Sequence, residues 1–201
     1  IKHDPPLHSF DEVIMKFPKI RKKFATFRQI FHHFDGDHDH VLTFDELEHV
    51  VRDLGCCPKK DVPMSEVREL FQESDLEHNG GLTYREFVLC MCLGTMLDPP
   101  LVKAEHELAK TVREPMSVMV RAFLLFDEDA SGLLDRTECE AAMDANRDGG
   151  HAHAKAHKHS AEFFTKGRWD ELDWDHDGSI TFKEFFFAME TWAGIGDEED
   201  E

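Results

Sequence analysis

Residues 172–195 read LDWDHDGSITFKEFFFAMETWAGI, and the twelve from Asp173 to Glu184, DWDHDGSITFKE, decide the fold. Asp173, Asp175 and Asp177 stand at positions 1, 3 and 5, Gly178 at 6, Ser179 at 7, Thr181 at 9 and Glu184 at 12. Short carboxylates on alternate residues, a glycine turn and a glutamate further on bend the backbone around one point. They line that point with oxygen: three aspartates, the Ser179 carbonyl, Thr181 and both oxygens of Glu184. A hard cation taking about six to eight oxygens is what such a donor set holds, and calcium is the expected one.

Working outward, the same twelve-residue spacing starts at Asp127, Asp75 and Asp35. DEDASGLLDRTE supplies Asp127, Asp129, Ser131, the Leu133 carbonyl, Asp135 and Glu138, a complete set in which Asp135 is expected to act through water. DGDHDHVLTFDE supplies Asp35, Asp37, Asp39, the Val41 carbonyl, Thr43 and Glu46, but has His40 at position 6, where the backbone needs a positive φ. Histidine visits that region more often than most residues, at a strain of roughly 1 kcal/mol, so binding there is expected to be weaker. DLEHNGGLTYRE has Asp75, Asn79, the Gly81 carbonyl and Glu86, with Glu77 where a shorter aspartate normally reaches the ion. With fewer carboxylates and a misfitting length, this loop ranks last and is expected to hold magnesium or nothing.

One acidic twelve-mer alone is compatible with a solvated turn; four concordant ones are not. Position 8 is Leu42, Leu82, Leu134 and Ile180, apolar each time, and each loop follows an amphipathic segment such as FRQIFHHFD or VRELFQESD. These are helix–loop–helix EF-hands, and a lone hand leaves an apolar face uncovered. The expected fold is therefore all-α, four EF-hands in two paired lobes joined by short loop–loop β ribbons. The expected boundaries are an N-terminal amphipathic helix (1–20), an N-terminal lobe (21–98), a linker helix (99–115), a C-terminal lobe (116–196) and an acidic tail (197–201). Pro99 and Pro100 mark the boundary between lobes, and Pro18 is read as the stop of the first helix.

That first helix carries Phe10, Val13, Ile14 and Phe17 at i, i+3, i+4 and i+7 behind a Ser9/Glu12 capping box. It is either a built-in ligand for a lobe's groove or a helix packed permanently on the core, the second being the simpler reading. The insertion 146–160 contains His151, His153, His157 and His159. Although a helix would bring His153 and His157 to one face at zinc-ligand spacing, flanking Gly149 and Gly150 favour a flexible linker.

The chain has 201 residues, 41% hydrophobic, with a formal net charge of -19. That charge disfavours nucleic acid and favours cations or basic peptides. No apolar run approaches the roughly 20 residues of a membrane span. The five cysteines (56, 57, 90, 92 and 139) include no C-x-x-C pair, which fits a reducing compartment, and Cys90 and Cys92 read as buried small hydrophobes. A cytoplasmic location is expected, with ciliary or organellar association left open because the chain begins at Ile1. Neither a phosphate-cradling glycine loop nor H-E-x-x-H nor a nucleophile elbow is present, so no catalytic activity is expected.

Through SFDEVIMKFPKI (Ser9 to Ile20) and the closing stretch from Leu172 to Ile195, the sequence resembles the plant and green-algal calmodulin-like proteins, specifically a subgroup with an extra N-terminal helix. The resemblance implies a calcium sensor without catalysis. Such a sensor opens a lobe and offers an apolar groove to the amphipathic helix of a target protein. Candidate groove residues are Met119, Phe123, Leu124, Met143, Phe185, Phe186 and Met189. The alternatives are a constitutive EF-hand subunit of a larger cytoskeletal or ciliary assembly, or a calcium buffer.

Overall fold

The computed structural model describes residues 10–53, 64–97, 107–139 and 166–194. In chain order these form α1 (Phe10–Phe34), β1 (Leu42–Thr43), α2 (Phe44–Asp53), α3 (Met64–Ser74), β2 (Gly81–Leu82), α4 (Tyr84–Leu97), α5 (Glu107–Phe126) and β3 (Leu133–Asp135). A helical turn at 136–139, then α6 (Lys166–Leu172), β4 (Ser179–Thr181) and α7 (Phe182–Ala193) complete them. The all-α class with loop–loop ribbons is as expected. β1 pairs antiparallel with β2, Leu42 opposite Leu82, and β3 with β4, Leu134 opposite Ile180. The apolar eighth positions thus face each other across both ribbons, and all four side chains are buried.

Two compact units result, one from Lys19–Val120 and the other from Lys2–Pro18 together with Arg121–Glu201. In the first, Phe24, Phe27 and Phe31 repeat at helical spacing along α1; Phe24 stacks on Phe27 at 5.4 Å, and Phe27 and Phe31 meet Phe87 of α4. Phe27 and Phe31 lie 6.3 and 5.9 Å from the Phe87 ring, centroid to centroid. The Tyr84 hydroxyl donates to the Phe24 carbonyl at 2.9 Å, tying the start of α4 to α1. Across α2 and α3, the Arg68 guanidinium lies 3.8 Å over the Phe44 ring. Gly81 is required by the ribbon, since a Cβ there would come 2.9 Å from Val41 Cγ2. Cys90 and Cys92 are buried, as is Cys139 of the second unit.

In the second unit Phe123 of α5 packs edge-on against Phe182 and Phe185 of α7, at 5.3 and 5.5 Å. α7 begins with a capping box made by Thr181 and Glu184 and ends at Gly194, whose φ of 65° is left-handed.

Pro18 does not end the first helix: α1 continues through it for another sixteen residues to Phe34. A proline in a helix interior costs about 3 kcal/mol, chiefly through one lost N–H donor and a clash with the preceding turn. Burial of Val13 and Phe17 before it and of Phe24 and Phe27 after it, at about 1.5–3 kcal/mol each, outweighs that cost. α5 likewise runs through Pro115. Ser9, Cys56, Cys57, Met143, the histidine-rich insertion 146–160 and the acidic run 197–201 lie outside the described residues. Among the described residues no helix is long and apolar enough to cross a membrane.

Candidate metal centre

Each loop hangs between a helix end and a helix start, and the same hydrogen bonds shape all four. The first aspartate follows directly on a helix, and its N–H still donates to the carbonyl four residues back: Asp35 to Phe31, Asp75 to Phe71, Asp127 to Phe123, Asp173 to Trp169, at 2.9–3.1 Å. Its side chain then turns into the loop, where Oδ2 accepts the N–H of position 6. That bond joins His40 to Asp35, Gly80 to Asp75, Gly132 to Asp127 and Gly178 to Asp173, at 3.0–3.2 Å. At the far end the glutamate of position 12 sits in the first turn of the exit helix, where the helix dipole favours negative charge. Its Oε2 accepts the N–H of position 9, from Thr43, Thr83, Asp135 and Thr181, at 2.8–3.0 Å.

These bonds hold one oxygen of each terminal carboxylate in place. What becomes of the other oxygens separates the loops. In the first loop Glu46 Oε1 accepts the Gly36 N–H at 3.0 Å. In the second, Glu86 Oε1 accepts two, from Leu76 at 2.8 Å and Glu77 at 3.2 Å. In the third, Glu138 Oε1 accepts the Asp129 N–H at 3.5 Å, the longest of these contacts. In the fourth, Glu184 Oε1 and Asp173 Oδ1 are both buried with no hydrogen-bond partner. A buried, unsatisfied carboxylate oxygen costs about 1–3 kcal/mol or more, and a cation between two of them removes that cost.

Three carboxylate groups converge, with donor oxygens within 4.8 Å of one another: Asp35, Asp37 and Asp39; Asp127, Asp129 and Glu138; Asp173, Asp175 and Glu184. Both loops of the second unit therefore bring the distant glutamate to the same point as the aspartates. The first loop gathers its three aspartates without Glu46. Asp75, Glu77 and Glu86 form no such group among the described residues. Instead Glu77 Oε2 accepts from the Asn79 amide at 3.3 Å, and Asn79 Oδ1 accepts the Gly81 N–H at 2.9 Å, so the donors of that loop bond to each other. In the third loop Ser131 Oγ donates to the Leu133 carbonyl at 2.9 Å, which places the donors of positions 5 and 7 side by side. In the fourth loop the Asp177 N–H donates to Asp175 Oδ1 at 3.1 Å, and the Ser179 N–H to Asp177 Oδ1 at 2.7 Å.

Ionisation follows these contacts. Burial opposes the charge on Glu46, but N–H donors from Gly36 and Thr43 and the Thr43 hydroxyl outweigh it and hold its pKa below the usual carboxylate value. Asp129 is likewise lowered, first by the Ser131 hydroxyl and backbone N–H.

His40 has a φ of 67°, the strained left-handed backbone expected at a sixth position without glycine. Position 4 is left-handed too, at His38, His78, Ala130 and His176, with φ between 52° and 60°. A positive φ was expected at position 6 alone. Histidine at the fourth position of three loops was the available signal, since histidine is enriched there among non-glycine residues. Trp174, at position 2 of the fourth loop, is half exposed with its ring 5.7 Å from Phe187.

Comparison with known proteins agrees with this geometry. Residues 24–91 match one EF-hand domain pair family, and residues 170–191 match a second EF-hand domain pair family. CML22, a probable calcium-binding protein of Arabidopsis thaliana, is 29% identical over 97% of this chain and 82% of its own length. CML17, another probable calcium-binding protein of Arabidopsis thaliana, is 30% identical over 83% of this chain and 86% of its own. Calcium-dependent protein kinase 19 of Oryza sativa subsp. japonica is 28% identical over 81% of this chain, a match that takes in only 25% of the kinase.

Proposed function

Because the chain belongs to the plant calmodulin-like, EF-hand calcium-binding proteins, we propose that it is a calcium sensor whose C-terminal lobe fills first and whose fourth loop leads. The observation that carries this reading is the pair of buried, partnerless oxygens on Asp173 and Glu184. Asp173, Asp175, Asp177, the Ser179 carbonyl, Thr181 and Glu184 would hold the ion there. In the third loop the holders would be Asp127, Asp129, Ser131, the Leu133 carbonyl, Asp135 and Glu138. Calcium, once bound, neutralises carboxylates that otherwise repel one another.

In the first loop Asp35, Asp37 and Asp39 are gathered, but Glu46 must give up its bond to Gly36 before it can join them. That exchange, added to the strain at His40, weakens the site. The second loop must give up two backbone bonds at Glu86 and the Glu77–Asn79 contact, so it is the last to fill, or holds magnesium.

Sensing requires that filling the lobe expose apolar surface to an amphipathic helix of a target. The net charge of -19 suits a basic one. Calcium titration in a magnesium background, with a hydrophobic dye present, tests this. A micromolar transition accompanied by dye binding is expected. Metal binding that leaves the dye dark would instead identify a buffer or a permanently assembled subunit.

A further inference from the structure

The residues expected to line the groove that a sensor offers its target are buried. In the second unit Phe123, Phe185, Phe186 and Met189 are each at most 1% exposed, whereas Leu124, beside Phe123 on α5, is 45% exposed. The same compact unit contains the start of the chain, Lys2–Pro18. Its helical residues include Val13 and Phe17, one turn apart on one face of α1, which are 0% and 8% exposed. Apolar groove residues and apolar helix residues are thus withdrawn from water within one unit.

The segment also has the apolar pattern of a groove ligand. Phe10, Val13, Ile14 and Phe17 repeat at helical spacing within residues 10–18, whose charged residues are Asp11, Glu12 and Lys16; Lys19, Arg21, Lys22 and Lys23 follow Pro18. An amphipathic helix that lays its apolar face into a groove is what a calcium-loaded lobe of this class of fold takes from a partner. Pro18 is exposed, stands inside α1, and is the last residue assigned to this unit. Having no N–H, it leaves the Ile14 carbonyl without its helical donor, so the helix is weakest where the segment would detach.

We propose that residues 10–18 occupy the groove of the C-terminal lobe as an internal stand-in for the target helix, and that a target binds by displacing them. This rests on the sensor reading above. Its consequence is a lowered apparent affinity, because the intrinsic affinity is scaled by the fraction of molecules whose groove is free.

The test uses the full chain in saturating calcium and a basic amphipathic Leu/Lys peptide as probe. Wild type is compared with the double variant Val13→Asp, Phe17→Asp, with tryptophan emission following binding. The variant is expected to bind the peptide about tenfold more tightly or better. Equal affinities overturn the proposal and leave the sensor reading standing; calcium-dependent binding by neither protein overturns both. Amide hydrogen exchange on wild type gives a second measure that needs no variant. Loss of protection at residues 10–18 when the peptide binds supports displacement. Unchanged protection with peptide bound makes the segment a permanent part of the core and overturns it.

Discussion

Replacing Glu184 by glutamine should weaken calcium binding and yet strengthen the metal-free lobe. Glu184 Oε1 is buried without a partner, and the carboxylates of Glu184, Asp173 and Asp175 place oxygens within 4.8 Å of one another. At that separation each pair of charges repels by about 3 kcal/mol at an effective dielectric of 20, and by about 1 kcal/mol in bulk water. Neutralising Glu184 removes two such pairs. Its new amide N–H gains an acceptor in Asp173 Oδ1, while the carbonyl oxygen retains the bond from the Thr181 N–H. A net gain of about 1–3 kcal/mol in metal-free stability follows, against a loss of about a hundredfold in calcium affinity at the fourth loop. Thermal unfolding in chelator and in calcium, followed through tryptophan emission, measures both effects. Trp169, Trp174 and Trp192 all lie in the fourth hand, so the signal reports that lobe. A variant that loses stability in chelator as well as in calcium would refute the idea that the site is held under strain for an ion.

The second loop predicts the opposite sign. Glu86→Gln weakens charge-assisted bonds from Leu76 and Glu77, so metal-free stability of the N-terminal lobe should fall by about 1–2 kcal/mol, seen as a lower urea midpoint in chelator. His40→Gly relieves the strain at φ 67° and should tighten calcium binding at the first loop severalfold, by about 1 kcal/mol, in a calorimetric titration. Ala130→Gly should stabilise the third loop for the same reason, raising the melting temperature of the metal-free C-terminal lobe. Burial pushes the Cys90 thiol from its ordinary value of 9.0 up to about 12. Because the folded value is the higher one, its contribution is intact below about pH 9 and is lost as pH rises towards 12; Cys90→Ala should flatten that alkaline decline in urea midpoints.

The loops were legible because an EF-hand fixes each donor to a numbered position, so DWDHDGSITFKE could be read residue by residue before any fold was known. The apolar eighth positions gave the ribbons their register for a related reason: paired loops meet there, and Leu42 does stand opposite Leu82. Helix extent was less legible. Pro18 and Pro115 look like stops by local propensity, yet both helices run through them; at Pro18 the burial of Val13 and Phe17 before it and of Phe24 and Phe27 after it outweighs the lost hydrogen bond. Nor could sequence separate the terminal glutamates, since Glu46, Glu86, Glu138 and Glu184 occupy the same position in the same motif. Their second oxygens differ by which loop N–H each reaches. The left-handed fourth positions at His38, His78, Ala130 and His176 belong with these, being set by the path of the whole loop.

The order in which the loops fill tests the account most directly, and the glycine amides at position 6 can report it. Gly80, Gly132 and Gly178 each donate to the first aspartate of their own loop, so each amide resonance registers the filling of one loop. In a nuclear magnetic resonance titration of the full chain with calcium, over constant magnesium, the Gly178 signal should complete its shift first, closely followed by Gly132, with Gly80 last or unmoved. A Gly80 resonance that moves with or ahead of Gly178 would contradict the claim that the partnerless oxygens of Asp173 and Glu184 set the order of binding.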